Sequence, residues 1–220
     1  MSAVRAALAA VVLTLLVSPR ASAQAAPRVE IRPFGIFAVE RFAASTTFDA
    51  TLGSSFQSFW GGGIEITTRR NVFVDVTVTR LSRAGHQAFV DDGQVFRLAV
   101  PLEASLTPIE FTIGSRFPPK RRAPRRRRPT VIPYAGVGIG VYRYAQTSGS
   151  PGATEDVAET HAGFVAAGGA EFRVSKWVGI TADAQYTRVP GILGQGGVSQ
   201  LVSESDLGGV AGRVRVILGR

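Results

Sequence analysis

Apolar and polar residues alternate along most of the chain. Between positions 71 and 81, valines at 72, 74, 76 and 78 occupy one face, whereas Phe73, Asp75, Thr77 and Thr79 occupy the other. An alternation with a period of two is typical of a β-strand, because successive side chains point to opposite faces. The sequence therefore predicts a strand with one apolar and one mixed face in this region.

Eight segments share this alternation, and none after the first two dozen residues shows a helical period. In the fourth segment the alternation shifts at Thr107–Pro108, with Leu102 and Leu106 on one parity and Ile109 on the other. A β-bulge at the proline would produce this shift. The predicted strands span positions 28–42, 54–68, 71–83, 94–117, 130–145, 160–174, 177–189 and 206–219.

The connectors between these strands alternate between long and short, apart from the second short position, which holds an insertion. Long loops at one end and tight turns at the other are typical of a transmembrane β-barrel, with the tight turns on the periplasmic side. The long connectors are 43–53, 84–93, 146–159 and 190–205, the short ones are 69–70 and 175–176, and the insertion is 118–129.

The apolar face has two interpretations. In a soluble sandwich or barrel it would form the core, and the interior of a soluble periplasmic barrel would suit an apolar ligand. In a membrane barrel it would face lipid, with the polar face lining the lumen. Strand length favours the membrane barrel, because most predicted strands exceed the roughly 9–11 residues that cross the hydrocarbon. Aromatic residues near strand ends also suit interfacial girdles, namely Phe56, Trp60, Phe117, Tyr142, Tyr144, Trp177 and Tyr186.

The predicted fold is therefore all-β, an eight-stranded antiparallel up-and-down transmembrane β-barrel. The interior of a barrel of this size is just wide enough for side chains to fill. Charges on its polar face would pair into a structural plug, with a narrow small-solute pore as the alternative. The predicted lumen charge network comprises Glu65, Asp75, Arg97, Glu103, Glu110, Arg116, Glu171, Arg173, Asp183, Arg213 and Arg215.

The first 23 residues have the form of a secretory signal peptide. Arg5 precedes an apolar run from Ala6 to Val17, and Ala21-Ser22-Ala23 is a small-residue cleavage site. We therefore expect residues 1–23 to be removed and residues 24–220 to form the barrel domain. The net charge of +9 would fall to +7 with the loss of Arg5 and Arg20.

The remaining positive charge is concentrated in the insertion at 118–129. Its four prolines exclude a recognition helix, and an export signal argues against nucleic acid as a partner. We expect a solvated periplasmic turn, or one that contacts anionic lipid headgroups or the cell wall. The seven basic residues of this turn are Lys120, Arg121, Arg122, Arg125, Arg126, Arg127 and Arg128.

Residues that could carry chemistry are sparse. The chain has no cysteine and two histidines, so no metal or other cofactor is expected. His86 follows Ser82 by four residues and precedes Asp91 and Asp92, and His161 follows several acidic residues. Neither arrangement matches a catalytic motif, and we expect no enzymatic activity.

A family resemblance rests on one strand. Ile132-Pro133-Tyr134-Ala135-Gly136-Val137-Gly138-Ile139-Gly140-Val141-Tyr142 resembles the Pro-Tyr-x-Gly-x-Gly-x-Gly strand of the OmpA/OmpW/opacity-porin superfamily of Gram-negative bacteria. The resemblance implies a small barrel in the cell outer membrane, surrounded by its lipid. Members of that superfamily range from structural barrels to adhesins and small-solute channels, and some eight-stranded outer-membrane barrels modify lipid A.

Taken with that resemblance, the sequence predicts an outer-membrane barrel with a structural or interaction role through its external loops. The ligand of those loops is unknown. The alternatives are the soluble periplasmic ligand carrier and a lipid A-modifying barrel enzyme.

Overall fold

The computed structural model describes residues 29–68, 70–91, 94–119, 131–148, 157–193 and 197–219. Eight strands pair antiparallel with their sequence neighbours, and β1 also pairs with β8, which closes the barrel. This confirms the predicted fold class. The strands are β1 Glu30–Phe42, β2 Phe56–Thr67, β3 Val72–Asp91, β4 Gln94–Arg116, β5 Val131–Ser148, β6 Val157–Arg173, β7 Val178–Arg188 and β8 Gly209–Leu218.

The two ends of the barrel differ. We call the end with the connectors after β2, β4 and β6 the turn end, and the opposite end the loop end. At the loop end β3 and β4 continue as a hairpin to the pair Asp91 and Gln94. Most of the predicted loop 84–93 is therefore strand, because its residues still pair across the hairpin. The signal peptide, residues 1–23, and the basic residues of the turn, 120–128, lie outside the described residues.

The loop end also holds two short helices that the sequence did not predict, α1 Ser45–Leu52 and α2 Gly197–Leu201. Their eight and five residues are too few to show a helical period. Gly53 ends α1 in the left-handed conformation, with φ of 80°, which glycine adopts without steric cost. Among the described residues, no helix is long and apolar enough to cross a membrane.

The predicted β-bulge at Pro108 is wrong. Val78 pairs with Ile109 and Leu81 pairs with Leu106 in the same register, and the register shifts instead between His86 and Ala88. The even-numbered residues of β4 from Leu102 to Thr112 all point inward and are buried. The apparent shift arises because the lumen changes from polar to apolar along the strand, while the strand itself continues unbroken.

The outward face is apolar and the inward face is polar near the turn end. Val76 is 44% exposed, whereas its neighbour Asp75 is 4% exposed. This contradicts the soluble alternative, which needs the valine face inside. The outward face of every strand contributes exposed large apolar residues, among them Phe37, Ile64, Val78, Phe111, Ile139, Phe164, Ile180 and Val214.

The strands are strongly staggered around the barrel. A path of paired outward residues starts at Ile31 and returns to β1 at Arg41, ten residues further along. Strand number and stagger together fix the tilt and the diameter of a closed barrel. The path runs through Ile66, Val74, Ile113, Val137, Ala166, Tyr186 and Val210.

Candidate functional site: a lumen closed twice

Most of the predicted lumen charges do point into the barrel. Arg173, at the turn end, is half-buried. Glu103 is exposed on the outer side, and its assignment to the lumen is wrong, because odd-numbered residues of β4 point outward along the described strand. The side chain of Arg97 lies outside the described residues. The buried members are Glu65, Asp75, Glu110, Arg116, Glu171, Asp183, Arg213 and Arg215.

Near the turn end, two glutamates lie between three arginines, and we call these five residues the turn-end cluster. Arg32 Nη1 donates to Glu65 Oε1 at 3.0 Å, and its Nη2 donates to Glu171 Oε1 at 2.7 Å. Arg116 Nη1 donates to the same Glu65 oxygen at 3.3 Å and also contacts Glu171. Arg173 Nε lies 2.6 Å from Glu171 Oε1. The cluster joins β1, β2, β4 and β6 across the lumen.

A second group, the middle cluster, lies further toward the loop end. Arg215 Nη1 donates to Asp75 Oδ2 at 3.2 Å, and Arg213 Nε donates to Asp183 Oδ1 at 2.5 Å. Arg215 Nη2 also donates to the Tyr134 hydroxyl at 2.6 Å, and that hydroxyl donates to Asp183. Each carboxylate therefore contacts at least one guanidinium, as a buried charge requires.

Glu110 borders the middle cluster and accepts from neutral groups. The Tyr142 hydroxyl donates to Glu110 Oε1 at 2.7 Å, and Gln185 Nε2 donates to the same oxygen at 3.0 Å. Arg213 Nη1 lies 3.9 Å from Glu110 Oε2. Above this level most inward side chains are apolar, and Glu40 is a charged exception.

The sequence missed several members of this network. Arg32 lies on the polar face of the first predicted strand. The apolar residues Phe34 and Ile36 share that inward face, and they obscure the alternation of the strand. Tyr142 was predicted for an interfacial girdle, yet it is 3% exposed, because even-numbered residues of β5 point inward. Tyr144 is half-buried. The other predicted girdle residues, Phe56, Trp60, Phe117, Trp177 and Tyr186, are exposed.

Glycines of β5 and β4 make room for large inward side chains. A Cβ on Gly136 would lie 3.1 Å from the Phe73 ring, and one on Gly114 would lie 2.4 Å from it. A Cβ on Gly140 would lie 2.9 Å from the Tyr142 ring. Gly136 and Gly140 of the Pro-Tyr-x-Gly strand therefore leave space for side chains inside the lumen.

The loop end of the lumen is filled by apolar side chains, which we call the apolar plug. Phe48 of α1 stacks on Phe42 with ring centroids 4.1 Å apart, and Phe42 contacts Phe59 edge to face at 6.1 Å. The buried members of the plug are Ala38, Phe42, Ala44, Phe48, Phe59, Leu81, Leu106, Tyr142, Val165, Val189, Ile192 and Leu207.

Carboxylates tie the loops of the plug together. Glu204 accepts from the backbone amides of Thr46 at 3.1 Å and Thr47 at 2.8 Å, and from the Thr47 hydroxyl at 2.7 Å. Burial alone would raise the pKa of Glu204, but these hydrogen bonds outweigh burial and lower that pKa. Asp206 Oδ1 similarly accepts from the amides of Val189 and Gly208, each at 2.8 Å. The first turn of α1 is thus held by the segment that follows α2.

Between the charge clusters and the plug, the described residues enclose a cavity of about 20 Å³, lined in part by Glu40, Glu110 and Tyr142. A cavity of this size holds about one water molecule. A wider opening of about 250 Å³ lies at the turn end, beside Arg116 and Arg173. The larger of these two spaces is therefore at the turn end, and side chains of the clusters and the plug pack the lumen above it.

The two candidate histidines differ in their surroundings. His161 Nε2 lies 3.1 Å from Glu159 Oε2, and His86 is exposed on β3. Ser82 Oγ donates to Glu103 Oε1 at 3.1 Å. Within the described ranges, no group of three or more His, Cys, Asp or Glu side chains could hold a metal ion. The side chain of Asp91 and the whole of Asp92 lie outside the described residues.

Several solved structures resemble the chain in fold. Neisserial surface protein A is 13% identical, with a TM-score of 0.44, over 87% of this chain and 94% of that one. Ail, the attachment invasion locus protein of Yersinia pestis, is 11% identical, with a TM-score of 0.45, over 88% and 97%. The N-terminal barrel domain of Pseudomonas aeruginosa OprF is 11% identical, with a TM-score of 0.39, over 87% and 96%.

No curated protein matches the chain. One family does match, described as the outer membrane protein beta-barrel domain, and the match covers residues 7–202. Together with the closed eight-stranded barrel, the match shows that this chain belongs to the outer membrane protein beta-barrel domain family.

Proposed function

We propose that this outer-membrane β-barrel protein has a closed lumen and acts through its loop end, in a structural or interaction role. The observation that carries the proposal is the double closure of the lumen. The charge clusters and the apolar plug lie on either side of a cavity of about 20 Å³ that the described residues form. A conducting pore needs a continuous water path, and the packing of these side chains argues against one.

The loop end carries long strand extensions that a partner could contact. β3, β4, β5 and β6 have 20, 23, 18 and 17 residues, whereas the other four strands have 10 to 13. The four long strands extend past the plug as a wall on one side. In barrels of this kind the longer loops face the outside of the cell. We therefore place the wall on the cell surface.

A catalytic role is not part of the proposal. Ser82 and His86 lie four residues apart on one strand, which separates their Cα atoms by about 13 Å. A serine nucleophile and its base need hydrogen-bond reach of about 3 Å. This geometry favours an interaction role over acyl transfer at these two residues.

Conductance in planar bilayers tests the closed lumen. We expect the inserted wild-type chain to show no discrete conductance steps. A Phe48→Ala/Arg215→Ala variant should conduct, because it removes a large side chain from each closure. Glu103→Ala is the control, since its side chain lies outside the barrel. Discrete steps from the wild-type chain would overturn the closed lumen and favour the narrow pore.

Protease treatment of intact cells tests the orientation and the location. We expect recovery in the outer membrane, with cleavage confined to 84–93, 146–159 and 190–205. Cleavage in the basic turn at 118–129 on intact cells would reverse the orientation. Recovery in the soluble periplasm would reject the membrane location.

A further inference from the structure

The outward face of the barrel is almost free of charge. In the zone between the turns and the level of Phe56, where β2 begins, the outward residues include no Asp, Glu or Lys among the described residues. The charged residues there are four exposed arginines, and all of them lie on the loop-end side of this zone. They are Arg41 on β1, Arg80 on β3, Arg143 on β5 and Arg188 on β7.

These arginines form a ring, which we call the arginine collar. They occupy every second strand around the barrel. After correction for the ten-residue stagger, the four arginines lie within about two residues of the same height along the barrel axis. The next outward residues toward the turn end are apolar in each strand: Val39, Val78, Val141 and Tyr186. The collar therefore marks the boundary at which the apolar belt ends.

Two arginines of the collar contact another side chain of the protein. Arg188 lies 3.5 Å from the Asp206 carboxylate, and the Arg41 guanidinium lies 5.8 Å from the centre of the Phe56 ring. Arg80 and Arg143 have no acidic partner among the described residues. Their charges are therefore available to an anion.

Arg80 and Arg143 also flank the same residue of β4. On one side of β4, Thr107 pairs with Arg143 of β5. On the other side Thr107 lies opposite Arg80 of β3, because the nearby pair Val78 and Ile109 sets the antiparallel register. The Cα atoms of the two arginines are therefore about 10 Å apart, across one intervening strand. Long guanidinium side chains bridge that distance, and guanidinium groups match the geometry of phosphate oxygens.

We propose that Arg80 and Arg143, across Thr107, form a clamp for the headgroup phosphate of a membrane lipid. The acyl chains of that lipid would lie along the exposed outward residues Val78, Ile109 and Val141, directly below the clamp. The proposal goes beyond the loop-end role, and it requires only that the barrel spans a membrane.

A natural reporter lies beside the clamp. Trp60 is the partner of Arg80 on β2 and is 71% exposed on the outer face, whereas Trp177 lies at the turn end. A Trp177→Phe chain inserted into phosphatidylcholine vesicles therefore reports on lipid contact at Trp60 alone. Brominated phosphatidic acid, which exposes a phosphate monoester, and brominated phosphatidylcholine are added in parallel as fluorescence quenchers.

We expect brominated phosphatidic acid to quench Trp60 with about tenfold preference over the phosphatidylcholine, since each arginine near an anionic surface contributes to the attraction. Arg80→Gln/Arg143→Gln should abolish most of this preference, and 1 M NaCl should weaken it in the parent chain. The matched control Arg70→Gln/Lys176→Gln removes two positive charges at the turn end and should keep the preference.

Equal quenching by both lipids in the parent chain would overturn the proposal. A preference that survives Arg80→Gln/Arg143→Gln would also overturn the proposal, because residues other than the two clamp arginines would then account for it. If the double variant does not insert, the single variant Arg143→Gln and the salt dependence decide the question. Heat-modifiable gel migration reports insertion separately, so a failure of the barrel is distinguishable from a failure of the clamp.

Discussion

Two chemically different groups of side chains fill the lumen of this barrel. The turn-end and middle clusters are built from strand residues and held by ion pairs, as between Arg32 and Glu171. The apolar plug combines inward strand residues with residues that loops and α1 bring into the lumen, such as Phe48, Val189 and Leu207. Ion pairs depend on distance and angle, so they suit positions that the sheet hydrogen bonds fix. Apolar contact is not directional, so loops that fold inward can supply it.

The comparison also separates what each closure does for stability. Buried charges gain little over apolar residues of similar volume, but the loss of one partner leaves an uncompensated buried charge. The charge clusters therefore join distant strands, and removal of any one of their charged side chains should lower the free energy of unfolding strongly. The plug can open locally, because its loop segments are not part of the sheet.

The largest effect is expected in the turn-end cluster. Glu171→Ala leaves Arg32, Arg116 and Arg173 without their shared carboxylate, and should lower the free energy of unfolding by about 3–5 kcal/mol. Urea titration of the chain inserted in vesicles measures this loss. Glu103→Ala, on the exposed outer side, should change the same free energy by less than about 0.5 kcal/mol. Equal losses for the two variants would mean that the cluster is not a structural unit.

A smaller and local effect is expected in the plug. Phe48→Ala removes the ring that stacks on Phe42, and should lower the free energy of local opening of α1 by about 3 kcal/mol, at the low end for buried phenylalanines. Hydrogen exchange of the α1 amides measures this change. The strands near the turn-end cluster should keep their protection. A uniform loss of protection across the barrel would show that plug and strands unfold together.

The smallest effect concerns pH and the carboxylate that holds α1. The folded-state pKa of Glu204 is lowered, so its stabilisation is present above the unfolded-state pKa and is lost as the pH falls through the lower folded-state pKa. We expect the α1 amides to lose protection only in that acidic range. Hydrogen exchange across the acidic range measures the change.

Glu204→Gln provides the matched control for this titration. Its amide does not ionise, so the acid-dependent step should be absent, and the protection of α1 near neutral pH should already be lower than in the wild-type chain. A step of the same size in both chains would assign the titration to another group, such as Asp206.

The sequence predicts the direction in which a side chain points from its strand better than it predicts the partner of that side chain. The period of two placed Asp75, Glu65 and Arg215 on inward faces, because side-chain direction is a local property of a strand. It failed in β4, where Leu102 and Leu106 point inward beside Glu110 in one unbroken strand. An apolar residue can face lipid outside or the plug inside, so hydrophobicity alone did not indicate direction there.

The sequence by itself determined the strand alternation, the closed-barrel fold class and the inward position of most of the lumen charges. Only the tertiary structure decided the pairing of those charges, because Arg32 and Glu171 are 139 residues apart in the chain. It also decided the plug, since α1 is too short to show a period and depends on the carboxylate of Glu204. Local pattern sets the face of each residue, whereas barrel closure and stagger set which residues meet across the lumen.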